Sequence, residues 1–175
     1  MIWRRFQPSG STYLASSCIL EKGESVADLG LLEAVLKGLA AGVVGTAAMT
    51  ISEKIEQSKT GREDSMVTAE VGAILTKPSL ETGAQVAKLG KIVHWTHGVT
   101  WGMVRGLLAL TPLNSFAASA LHYVSLWSSD ALLYRALGIQ PLPNRWGAQT
   151  LITDLFHKLV LSVVTSLVFL ALVGE

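Results

Sequence analysis

Four stretches of roughly 20 residues with almost no charge interrupt an otherwise mixed chain, at about 31–52, 92–111, 114–135 and 150–173. Each has the length at which a helix crosses a hydrocarbon layer of about 30 Å. The fourth is the plainest. Leu159 to Val173 carry no charge and eleven of these side chains are Leu, Val or Phe, worth together roughly −3 to −7 kcal/mol toward insertion. Asp154 and Lys158 stand four apart in its first two turns, the spacing of a helical ion pair. The first stretch is shorter: its uncharged part runs from Gly38 to Ser52, behind Glu33 and Lys37, and Ser25 with Asp28 offers a capping box ahead of it. Residues 65–90 alternate apolar and polar positions around Pro78, which predicts two short amphipathic surface helices. Thr111-Pro112-Leu113-Asn114 reads as a helix stop and restart, and Gly138 to Gln149 as a Pro-rich turn.

The pattern predicts an all-α, polytopic membrane protein. An antiparallel bundle of four transmembrane helices, with one or two short amphipathic surface helices, fills a domain over 25–175, behind a flexible amino-terminal extension at 1–24. In that extension Arg4 and Arg5 resemble the start of a signal peptide, but Gln7 to Ser17 is too polar for its apolar region. A soluble four-helix bundle is the competing architecture. Charged residues are only 15% of the chain and no polar stripe follows Leu159, which favours lipid.

Composition narrows the function. The 175 residues are 50% hydrophobic with a mean hydropathy of +0.43 and a net charge of +1, so nothing favours nucleic acid. One cysteine, Cys18, excludes an internal disulfide and a multi-cysteine metal site. Connection 53–91 holds six basic residues and 135–149 two, against three in the amino-terminal arm. By the positive-inside rule both connections are cytoplasmic and both termini lie on the far side.

Helix faces carry the remaining signals. Gly98, Gly102 and Gly106, with Gly38 and Gly42 on the first helix, have the small-xxx-small spacing that lets two backbones approach closely. His94, His97, Trp101 and Arg105 form one polar stripe. Ser115, Ser119, His122 and Ser129 beside Asp130 form another, and Asp154, His157, Lys158 and Thr165 a third. Alternating helices bring Glu53, His94, His97, Asp130, Asp154, His157 and Lys158 to one level near the cytoplasmic boundary, since ionisable groups avoid lipid.

At Ala47-Ala48-Met49-Thr50 with Glu53-Lys54-Ile55-Glu56, His94-Trp95 through Gly98, Trp101-Gly102, Arg105-Gly106, and Asp154 with His157-Lys158, the chain resembles small bacterial multi-helix membrane proteins of unknown function, loosely the YagU group. The resemblance spans about 36–62 and 92–165 and implies a bacterial inner-membrane protein, with no activity or catalytic residues to carry over.

No phosphate-binding loop, dinucleotide fingerprint, nucleophile elbow or zinc-protease motif occurs, so no catalytic residue is assigned. The expected role is a non-enzymatic structural or accessory component of a membrane assembly, surrounded by lipid and open to homo-oligomerisation. A proton or ion transporter is the second reading. The third is a transition metal held by His94, His97, Asp130, Asp154 and His157, with Asp154-x-x-His157 resembling half of a bundle di-metal motif, or haem between paired histidines.

Overall fold

The computed structural model describes residues 29–76 and 82–175. Among these the protein is all-helical: α1 (Leu31–Thr60), α2 (Val67–Thr76), α3 (Gly83–Leu108), α4 (Ser115–Ala136) and α5 (Ala148–Val173), with a short 3₁₀ turn at Pro143–Arg145. The amino-terminal extension, Cys18 and the Ser25–Asp28 capping box lie outside the described residues.

Two helices run past the apolar segments that announce them. α1 continues to Thr60 and stops at Gly61, which adopts φ 71° and donates its N–H to Gln57 O, the left-handed terminator that glycine tolerates. α3 begins at Gly83 because Thr82 accepts from Gln85 N while the Gln85 side chain accepts from Thr82 N, a reciprocal capping box. The second of the two surface helices expected over 65–90 is therefore the first turns of α3. The other is α2, which lies along α3 where Gly72 meets Leu89 and Val93, and Ala69 meets Gly90.

α1 packs against α3 and α5, and α4 closes the opposite side against the same pair. Gly38 meets Gly102 and Gly106, Gly42 meets Val99 and Gly102, and Thr46 meets Gly98. Rising numbers on α1 thus face falling numbers on α3, so the two run antiparallel. Ser52 against His157 with Gly45 against Thr165 shows the same for α5. α4 opposes α5, with His122 beside Ser162 and Trp127 beside Asp154. The result is an up-down-up-down bundle with 61–66 and 137–147 at one end and 109–114 at the other.

Burial is inverted relative to a water-soluble core. The α1 positions facing inward are Ala34, Gly38, Ala41, Gly42, Gly45 and Thr46. Inward on α5 come His157, Lys158, Leu161, Ser162, Thr165, Ser166 and Phe169. Facing outward are Leu32, Leu36, Val43, Val44 and Ile51 on α1, Phe116 and Leu132 on α4, and Ile152, Phe156 and Leu167 on α5. Phe116 is 85% exposed. Two helices, α1 and α5, are long and apolar enough to cross a membrane. α3 and α4 hold no equally long apolar run; His94, His97, Arg105, His122 and Asp130 interrupt them, and of these Arg105, His122 and Asp130 are buried.

Candidate polar site in the bundle

The centre of the site is Lys158, inside the bundle with 4% exposure. Its ammonium donates to Asp154 Oδ1 at 2.6 Å and lies 3.3 Å from Asp130 Oδ2, and it sits 5.2 Å from the centre of the Tyr134 ring. Asp154 Oδ2 accepts from Trp127 Nε1 at 3.0 Å. Asp130 Oδ1 lies 2.8 Å from His97 Nε2. One lysine therefore bridges two carboxylates, and α3, α4 and α5 are tied together at this level.

His97 Nε2 is also 3.0 Å from the indole Nε1 of Trp101. A carboxylate beside that nitrogen calls for a proton on it, whereas an indole N–H calls for a lone pair. A single ring nitrogen serves one of them at a time. His97 thus stands between two arrangements: donating to Asp130, or accepting from Trp101 while Lys158 alone holds Asp130.

The other expected residues divide around this core. His94 Nε2 lies 3.0 Å from Thr50 Oγ1, whose hydroxyl already donates to Thr46 O, so the imidazole is the donor. His157 Nδ1 lies 3.0 Å from Ser52 Oγ, and its Nε2 is 3.9 Å from Glu56 Oε2, a carboxylate that also accepts from Arg62 Nε at 2.9 Å. Glu53 is half-buried and makes neither hydrogen bond nor ion pair among the described residues. Seven side chains expected at one level are thus one linked group of four (His97, Asp130, Asp154, Lys158), two separate histidines and one outlying acid.

Deeper in the bundle, His122 uses both nitrogens. Nε2–H donates to Trp101 O at 2.9 Å and Nδ1 accepts from Ser162 Oγ at 2.8 Å. Further along, Arg105 Nε donates to Ser166 Oγ at 3.1 Å and its guanidinium lies 4.9 Å from the Phe169 ring centre. A polar seam therefore follows α3 from His97 to Arg105.

The donors do not assemble as the metal reading requires. Among the described residues no group of three or more His, Cys, Asp or Glu side chains gathers into a ligand set. Asp154 and His157, three apart, turn to different neighbours, and the Lys158 ammonium stands between the aspartates where a cation would sit. The His94–His157 pairing of the haem reading meets a geometric obstacle as well. Thr50 and Ser52 project about 200° apart on α1, so His94 and His157 lie on opposite sides of that helix.

Sequence reasoning did not anticipate Thr50, Ser52, Glu56, Trp127, Tyr134, Ser162 or Ser166. Ser162 and Ser166 continue the Asp154–Lys158 spacing by steps of four, so that face was legible one and two turns further. Comparison of the chain with known protein families, with characterised proteins and with solved structures finds no match.

Proposed function

We propose that the protein is a four-crossing integral membrane protein acting as a non-enzymatic structural or accessory component of a membrane assembly. The observation that carries the membrane reading is the inverted burial. Small and polar side chains share the inside with a few large apolar ones, Leu126, Leu161 and Phe169, while Leu, Ile, Val and Phe cover the outside of α1, α4 and α5. Water would penalise so much exposed apolar surface, whereas lipid is indifferent to it and rewards close backbone packing. On this reading α3 and α4 also cross. The end bearing Arg62, Lys88, Lys91, Arg135 and Arg145 faces the cytoplasm.

The accessory role rests on how the linked polar group is spent. Asp154, Lys158 and Trp127 satisfy one another, and Asp130 is held from both sides, which fixes the register of three helices in a medium offering no water. Gentle detergent extraction followed by mass measurement of the particle tests it. A complex larger than one chain is expected. A lone chain that by itself drives ion flux in vesicles would refute it.

A proton relay is the second reading, favoured by the contested nitrogen of His97. With His97 neutral, the two aspartates and Lys158 sum to −1; one proton on the imidazole brings the group to zero. Proton flux into proteoliposomes would then fall at least tenfold in Asp130→Asn and Asp154→Asn. Flux indifferent to both substitutions removes the relay.

A further inference from the structure

Arg105 is the one cation of the bundle interior that finds no acid within it among the described residues. It is 1% exposed, and beyond the Nε bond to Ser166 its Nη1 and Nη2 have no hydrogen-bond partner among the described residues. Those two nitrogens carry four N–H groups in a rigid plane. A buried, permanently charged group in that condition is costly unless something accepts from it.

Arg105 lines a cavity of ≈ 10 Å³ together with Ala109, Ser115, Ala118 and Phe169, room for about one water-sized guest. The amino terminus of α4 opens onto the same space. Asn114 caps Ala117 N, and no acidic residue lies in the first turn of this 22-residue helix. The positive end of a long helix and a guanidinium therefore converge, and both offer donors to a negative guest. A carboxylate, Glu175, stands at the exposed rim, where it accepts from Ser115 Oγ at 2.6 Å.

We propose that this end of the bundle, opposite the Lys158 group, holds a monovalent anion of halide size between Arg105 and the first turn of α4. A cation is excluded because the polar atoms of Arg105 can only donate. Of the anions, a monatomic halide demands the least room and an oxyanion with four oxygens the most. A lone water could answer at most two of the four N–H groups and would leave the charge unbalanced. A chloride accepts from several donors at once and neutralises the guanidinium. The site serves either reading of the Lys158 group, since it lies at the other end of the seam.

The test is thermal unfolding of the whole protein in mild detergent, titrated with chloride, bromide or gluconate at constant ionic strength. Chloride and bromide are expected to raise the midpoint with a saturating dependence, and gluconate to leave it unchanged. Arg105→Lys keeps the charge but loses the planar fork, and is expected to weaken the halide dependence at least tenfold. Glu175→Gln removes the carboxylate at the rim and is expected to keep or strengthen it. Bromide anomalous scattering should place the ion beside the guanidinium. Equal midpoints in chloride and gluconate overturn the proposal even if no variant folds. So does a halide response lost in Glu175→Gln, or bromide located elsewhere.

Discussion

Replacing Gly102 by alanine tests a backbone-to-backbone contact between α1 and α3. A Cβ there would stand 2.4 Å from Gly38 O and from Gly42 Cα, and 2.6 Å from Gly42 N. These are backbone atoms, so no side chain can swing aside. Restoring ordinary contact at 3.4 Å requires α1 and α3 to separate by about 1 Å. Overpacking of this kind costs about 1–3 kcal/mol. A gap of that size also forfeits a quarter to a half of the dispersion energy of each atom pair along the seam, about 1–2 kcal/mol over some tens of pairs. The better helix propensity of alanine returns about 1 kcal/mol. The net expected loss is about 1–4 kcal/mol, read as a shift in reversible unfolding in mixed micelles by tryptophan fluorescence. Gly83→Ala is the control, because its Cβ meets nothing within 4 Å and should leave stability unchanged or raise it by up to about 1 kcal/mol. A Gly102→Ala protein as stable as the parent would refute close backbone packing as the basis of the α1–α3 contact.

Lys158→Met leaves Asp130 and Asp154 facing one another without a cation and should cost about 3–5 kcal/mol; adding Asp154→Asn should recover part of that loss, and no recovery in the double variant would mean the pair is not coupled. His122→Phe strands Trp101 O and Ser162 Oγ in the interior and should cost about 2–4 kcal/mol, measured by the same unfolding assay. Hydrogen bonding from Lys54, then Gln57, holds the Asp64 carboxyl below its usual value, so its contribution is present above the unfolded pKa and fades as pH falls through the folded one. The Lys54–Asp64 pair is exposed, so Asp64→Asn should change stability by less than about 0.5 kcal/mol at neutral pH. In a Cys18→Ser background, Leu142→Cys should react with an impermeant maleimide only from the cytoplasmic side and Pro112→Cys only from the far side; the reverse labelling would invert the topology.

Much of the bundle was legible because glycine spacing and apolar length are local signals. Gly38, Gly42, Gly98, Gly102 and Gly106 announced a close contact, and the structure pairs them within the chain. The helix ends past Ser52 and before Ile92 were not legible from hydropathy. A change from apolar to charged residues marks where a helix leaves an apolar layer, and Lys54, Glu56 and Lys88 are good helix formers that let the backbone continue. Individual partners were hidden for another reason. His94 and His97 are three apart and so only about 60° apart in projection, which places both on one stripe yet lets one face α1 and the other α4. Asp130 could be foreseen beside an imidazole, but only the packing decides that it is His97. That the second surface helix expected over 65–90 is the start of α3 was obscured by Pro78, whose position suggests a break, while the Thr82 capping box at the start of α3 carries little weight in an apolarity pattern.

The bridging position of Lys158 bears on the order in which such a chain can enter a bilayer during synthesis. On the membrane reading, α5 arrives as a self-neutral element, its acid and base four residues apart. α4 brings Asp130 with no base one turn away, so until α5 emerges the imidazole of His97 on the preceding hairpin is the base beside it, together with the Tyr134 hydroxyl on α4 itself. Threading from the amino terminus therefore sets a provisional α3–α4 clasp first, and α5, emerging after them, locks it.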